Sequence, residues 1–582
     1  MKQEKYILLL NDNKYNLNKN KNYLSFLPLN PTIKYSAKVK EVNYDVPSKK
    51  EIYNRYEFCN FLFKKLIHEL SDKLNHIHKV NFSTRAWDIV MGHWLRFYIY
   101  LSYKTYLQLK TVIKKYDIEK IYLTEFEDYD FTVSNTEAFA TIAANNVDWY
   151  LCFCSKLYDY FKFGNKNIEK FSNKSQEVKT NDLNYIKNNK ILIKALNLIG
   201  KFLKFNNDAF IYGTYLPFKE EKKLELYFKQ FPTFYKEPKI IDEIKDFKTR
   251  DVIAYPSNDE EKNIENFIRE NLKIFIPKFI IENFEKIKKI SKSNNFPQNP
   301  KFIFTSSLYA YDETFKVYAA SQVMKKKPYY VGQHGNNYFT CIHNNYVSEL
   351  NYSDKFLSWG YQKKERIKNL FNFTTLNKRI SYKSNGKLII VFDYLSNVSS
   401  NLYYTPDVIS QDILSITSVI KRLDKSIRKD TILRLNQSFY KEIFGLKYFN
   451  LLKDIGITID DGKKNWSKLI KEARLCLFTY DSTGFLENYI YNIPSIIFSN
   501  KNYLNCINNE SYPKYKELQK NEILFDEEEN LTKHINSKWN DIYSWWNSER
   551  TKKTLDFFNK DLNNKPYMNC VKDLKENLII KK

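Results

Sequence analysis

Three short stretches carry residue types and spacings suited to moving a proton or to holding an anion. The first is VGQHGNNYF, Val331 to Phe339, a histidine flanked by glycines directly after an apolar run. The chain holds only 12 glycines in 582 residues, against about 7% in ordinary proteins, so two of them around His334 mark a backbone demand. An unperturbed histidine, with a pKa of about 6.5, is mostly neutral near pH 7 and can accept a proton from an acceptor hydroxyl. It can equally donate to a phosphate oxygen, or be a buried ring satisfied by backbone. Gln333 can orient the acceptor or the ring, Glu349 can orient the loop, and Gly332 and Gly335 let backbone approach a ligand closely. Asn336 and Tyr338 complete the substrate-facing residues of this turn.

The second stretch is FTYDSTGFLENYIYNIPSIIF. Asp481, Ser482, Thr483 and Gly484 stand between a strand-like LCLF and a helix. A Ser or Thr cap followed by free backbone N–H groups makes an anion cradle, with the helix dipole adding about 0.3 to 1 kcal/mol; the same residues also cap ordinary helices. Glu487 can reach a ribose hydroxyl or merely complement the dipole. In the third stretch, TILRLNQ, the planar fork of Arg434 suits a diphosphate, a sugar carboxylate or a surface ion pair. Asp393 and Ser396, after KLIIVFDYLS, end another strand.

To act together, these residues need strands whose carboxyl ends open on one cleft. KYILLLN near the start, KIYLTEF from Lys120 and DAFIYGTYLP from Asp208 read as strands separated by long amphipathic helices. That alternation implies an α/β class with parallel sheets. KFIFTSS and YYVGQH flank the helix DETFKVYAASQVMKKK. DKFLSWGY is a short strand, after which QKKERIKNL reads as a charged helix. A second series opens with KLIIVFDYL at Lys387, continues through TILRLNQ and ARLCLF, and ends in Trp-containing helical sequence. The domain boundary falls near residue 375, and the Lys/Asn-rich stretch from Gly164 to Lys190 reads as a surface insertion.

Apolar residues make up 43% and aromatics 17% of the chain, enough to bury sizeable cores. The net charge of +26 would draw polyanions or an anionic membrane face. Lys, Asn, Ile, Tyr and Phe are spread from end to end, however, which is general compositional drift; no RNP, helix-turn-helix or finger signature accompanies them, so no nucleic acid is expected. Seven cysteines without a CxxC pair suggest neither a disulfide frame nor zinc. His68, His76 and His78 lack a third ligand, and Asp128 and Asp130 read as a solvated turn, so neither metal nor cofactor is expected. MKQEKYILLLNDNK has too short an apolar run for a signal-peptide core. The expected location is cytoplasmic, with peripheral contact at the inner membrane face compatible with the charge.

Together GQHGNNYF, the Trp-Gly pair of DKFLSWGY, YDSTGFLENYIYNIPSIIF and the terminal DIYSWWNSER resemble a family of bacterial surface-carbohydrate and O-antigen transferases. The likeness extends to RAWDIVMGHWLRF and DETFKVYAA and covers most of the chain. The order of parts is similar, more distantly, to CDP-glycerol glycerophosphotransferases and to capsule transferases using CMP-activated sugars. The resemblance implies a GT-B-like fold: two Rossmann-like domains with parallel sheets facing a central cleft. Residues 1–375 would be the acceptor-side domain with helical insertions, and 376–582 the nucleotide-sugar-binding domain with terminal helices. It implies metal-independent glycosyl transfer from a nucleotide-activated donor, a CMP-sugar by analogy, to a surface polysaccharide or lipid-linked glycan. His334 would be the base and the Asp481–Gly484 helix start the donor phosphate site. The alternatives are a CDP-polyol phosphotransferase using the same cleft and, from another class, a non-catalytic basic nucleic-acid-binding protein. The sequence departs from the pattern where Asn336 replaces a motif glycine, where Phe339 stands at a position commonly glycine, and where RLNQ puts Asn436 in place of a phosphate-binding histidine.

Overall fold

Uninterrupted apolar runs such as FIFT and YYVG can be buried on both faces only in a parallel sheet covered by helices. The computed structural model, which describes residues 4–11, 17–29, 34–172, 209–231, 247–253, 255, 262–293, 296–361, 365–392, 401–435, 455–499, 501–562 and 565–579, has that arrangement three times over. The first sheet comprises β1 (Lys5–Leu10), β2 (Asn22–Ser25), β3 (Lys38–Glu41), β4 (Asp117–Thr124) and β5 (Asn167–Phe171), in the order β3-β2-β1-β4-β5. The second comprises β6 (Ala209–Ile211), β7 (Phe302–Thr305), β8 (Tyr329–Gly332), β9 (Lys355–Ser358) and β10 (Ile367–Asn369), ordered β10-β9-β8-β7-β6. The third comprises β11 (Lys387–Val391), β12 (Thr431–Arg434), β13 (Thr458–Asp460), β14 (Ala473–Phe478), β15 (Ser495–Phe498) and β16 (Leu524–Phe525), ordered β13-β12-β11-β14-β15-β16. Every pairing is parallel.

The α/β class with parallel sheets agrees with the sequence reading. The sheet count differs, because the first 375 residues carry two sheets where one was expected. Two long helices, Lys49–His78 and Thr84–Lys115, explain the division. At 1.5 Å per residue the second runs about 48 Å, and both contribute buried residues to one core shared with Leu8 and Leu10 of β1 and Ile303 and Val331 of the second sheet. The first helix is started by a capping box in which Ser48 accepts from Glu51 N and the Glu51 carboxylate accepts from Ser48 N.

A second correction concerns QKKERIKNL: residues 367–369 form the edge strand β10, paired with β9. Its one charged residue, Lys368, is half-buried at the sheet edge, where a lysine suits an edge strand, while Ile367 is buried. Beyond the third sheet, helix Tyr567–Leu578 returns to the second, burying Cys570, Leu574 and Leu578 against Phe302, Tyr330, Leu357 and Trp359. Among the described residues no helix is long and apolar enough to cross a membrane. Most of the Gly164–Lys190 stretch lies outside the described residues.

Candidate active site

β8 delivers the histidine turn to the carboxyl end of the second sheet. Gly332 is required by packing: a Cβ there would lie 2.3 Å from Ser306 Oγ and 2.7 Å from Phe373 Cε2. Its expected role in admitting a ligand is therefore replaced by close strand packing. Gln333 is likewise a brace: it is 3% exposed, its amide nitrogen donates to Gly335 O at 2.8 Å, and its amide oxygen accepts from Trp359 N at 2.8 Å. Both ends being used, it holds the turn and does not reach an acceptor. Phe339 takes φ 63°, the left-handed region that glycine occupies without strain. The conformation is held by stacking on Tyr361, with centroids 4.0 Å apart, and by donation from Asn508 Nδ2 to Phe339 O at 2.6 Å.

The His334 ring is half-buried, and burial pushes its pKa down to about 4. The ring is thus neutral at pH 7. Its Nδ1 lies 2.8 Å from Tyr309 Oη and 3.1 Å from Tyr338 Oη. Both hydroxyls also reach Glu349 Oε1, Tyr338 at 2.5 Å and Tyr309 at 3.2 Å. Glu349 is 3% exposed, and burial raises its carboxyl against the opposing pull of the two tyrosines and the Arg96 guanidinium. Arg96 and Asp88 come from the helix Thr84–Lys115; Arg96 Nε donates to Ser348 Oγ at 2.7 Å, and burial lifts Asp88 to about 6. Tyr338, expected to face substrate, points its hydroxyl inward instead. No described residue hydrogen-bonds His334 Nε2.

Across the seam, Ser482 caps helix Thr483–Ile490 by accepting from Phe485 N at 3.3 Å. Thr483 Oγ1 accepts from Asn336 N at 3.0 Å, so the histidine turn docks directly on this helix start. Asp481 is a latch: its carboxylate accepts from Asn336 Nδ2 on one oxygen and Tyr515 Oη on the other, at 1% exposure, with burial raising its pKa to about 7. Its oxygens face those partners, not a substrate. Glycine at 484 again answers to packing, since a Cβ would approach Phe478 Cε1 to 2.8 Å, whereas at Gly335 the nearest atom would be Thr483 Oγ1 at 3.7 Å. Glu487 joins the two lobes, accepting from Thr374 Oγ1 and, at 3.0 Å, from Trp466 Nε1. It also lines a cavity of about 300 Å3 with Tyr215, Thr374, Lys378, Trp466 and Tyr491.

Arg434 is occupied by an ion pair with Asp460 at 2.8 Å and by donation to Lys464 O and Gly462 O. Asp393, Ser396 and Asn436 lie outside the described residues. Three participants escape sequence reasoning. Tyr309 touches His334 from 25 positions away. Tyr215, with φ 63° and 45% exposure, sets its ring 5.9 Å from that of His334 while lining the cavity. His93 sits edge-on to Tyr309 at 6.5 Å and is exposed. The GH pair inside RAWDIVMGHWLRF was the available signal.

A family model described as LIC12162 family transferase matches residues 31–577. No curated protein matches the chain. Among solved structures it is similar to a putative UDP-N-acetylglucosamine 2-epimerase from Listeria monocytogenes, at 13% identity and TM-score 0.30 over 50% of this chain and 75% of that one. It is also similar to the glycotransferase of kitacinnamycin (7% identity, TM-score 0.30, 51% and 81% covered) and to the spinosyn rhamnosyltransferase SpnG (7%, 0.26, 50% and 79%). Likenesses of that size carry no weight for the activity of this chain.

Proposed function

The chain belongs to the LIC12162 family of transferases, and from that premise we propose that it moves a sugar from a nucleotide-activated donor, CMP-linked by preference, to a polysaccharide or lipid-linked glycan. The observation that carries this reading is one juxtaposition: a neutral imidazole, an aromatic-lined cavity and a helix start with free N–H groups meet at the seam between the second and third sheets. We assign the acceptor to residues 1–375 and the donor to 376–582.

In the proposed reaction the acceptor hydroxyl attacks the anomeric carbon while His334 Nε2 takes its proton. The bond from that carbon to the phosphate oxygen breaks, and its electrons leave with the nucleotide. Backbone N–H groups of Thr483 and Gly484, for which no described partner exists, face the developing charge at the positive helix end. The nucleoside fits the cavity, with Trp466 and Tyr491 as apolar walls and Glu487 toward the ribose. A chain of net charge +26 at the cytoplasmic membrane face would be held near a lipid-linked acceptor by anionic headgroups.

A thermal-shift screen of CMP, CDP, UDP, GDP and their sugar conjugates tests the reading, followed by mass analysis of product with the best binder. Transfer of a sugar unaffected by EDTA is expected. Transfer of a polyol phosphate, or no response to any nucleotide, overturns it.

A further inference from the structure

We propose that Tyr309, Tyr338 and Glu349 act as positioning residues that fix His334 in the tautomer bearing its hydrogen on Nδ1, leaving the Nε2 lone pair open to the cleft. This rests on the base role proposed above and names the residues that make it effective.

The inference follows from counting protons. Four polar atoms converge: Glu349 Oε1, the hydroxyls of Tyr309 and Tyr338, and His334 Nδ1, at separations of 2.5, 3.2, 2.8 and 3.1 Å, with the two hydroxyls 3.2 Å apart. Each hydroxyl owns one hydrogen. A carboxylate buried this deeply needs donors, because an unsatisfied buried charge is costly, and the side-chain hydrogens that reach Oε1 are those two. Once both point at Glu349, each tyrosine presents only lone pairs to the ring. Nδ1 must then supply the hydrogen that fills them, and Nε2 is left without one. In the opposite arrangement Tyr309 gives its hydrogen to Nδ1, Glu349 loses a donor, and Nε2 carries a hydrogen and can take no proton from an acceptor. Arg96, which pulls Glu349 toward its charged form, favours the first arrangement. The ring itself is confined by edge contacts to Tyr309 and Tyr338, with centroids 6.0 and 5.4 Å away.

The test needs no substrate. Deuterated full-length protein labelled with 15N-histidine is examined at pH 7.5 by long-range 1H–15N correlation, with the His334 signals identified by their loss in His334→Gln. The wild type is expected to show a pyrrole-like Nδ1 and a pyridine-like Nε2. Glu349→Leu, which removes the acceptor of both hydroxyl hydrogens, and Tyr309→Phe/Tyr338→Phe, which removes both acceptors of the ring hydrogen, should each shift the population toward Nε2–H. A wild-type ring carrying its hydrogen on Nε2 overturns the proposal, as does a tautomer unmoved in whichever variants keep the native melting transition. The outcome separates from the functional reading: a correct tautomer with transfer surviving His334→Ala defeats the base role alone. A wrong tautomer with transfer lost defeats only the positioning role.

Discussion

Asp481→Asn isolates the latch between the histidine turn and the third-sheet lobe. In the folded protein burial raises Asp481 from 3.8 to about 7, so the native state holds its proton more tightly than the unfolded chain does. Stability from this group is full below pH 3.8, declines as pH rises toward 7, and is level above. A shift of about three units corresponds to about 4 kcal/mol. Asparagine keeps the size and one acceptor and does not titrate, so the variant lacks this decline. Histidines act in the opposite sense: His334 and His343, both held near 4 by burial, contribute stability above pH 6.5 that is lost as pH falls toward 4. That contribution is common to both proteins and cancels in the difference. Urea unfolding followed by tryptophan fluorescence should therefore show the variant gaining on the wild type by about 4 kcal/mol between pH 4 and pH 8. A difference constant within about 1 kcal/mol over that range would refute burial as the cause of the shift.

His334→Ala should lower transfer on the order of 10²- to 10⁴-fold while leaving the melting temperature near that of the wild type; activity above a tenth of wild type excludes a base. Ser482→Ala removes the cap on Phe485 N and should cost about 1 kcal/mol of stability, read by thermal unfolding. Thr483→Pro, which deletes one of the two N–H groups assigned to the phosphate at a first-turn position that tolerates proline, should weaken calorimetric affinity for the preferred nucleotide, and unchanged affinity removes that N–H from the donor site. Gly332→Ala should destabilise by about 1 to 3 kcal/mol because its Cβ overlaps Ser306 and Phe373, whereas Gly335→Ala should be close to neutral. Equal melting temperatures for the two would contradict that packing.

The strands FIFT and YYVG were legible because they are apolar without alternation, which a doubly covered parallel sheet demands; short strands such as Asn22–Ser25 and Lys38–Glu41 lack that signal. The helix start at Ser482 was legible because capping is local. What the sequence withheld is longer in range. The pairing of His334 with Tyr309 and Glu349 depends on three separate segments packing together, and His93 reaches the same cleft from a helix some 240 positions earlier. Arg434 and Asp481 are chemically suited to ligands, and only the fold reveals that Asp460, Asn336 and Tyr515 already occupy them. β10 was misread because the charged run QKKER ahead of it and the polar Lys368 and Asn369 within it imitate a solvated helix.

Because helix Tyr567–Leu578 packs on the second sheet after the chain has built the third, the polypeptide passes the seam in both directions. Two covalent connections therefore join the second and third sheets. Cutting the chain before residue 565 would free one of them and, if the helix left, bare Leu357 and Trp359 to water.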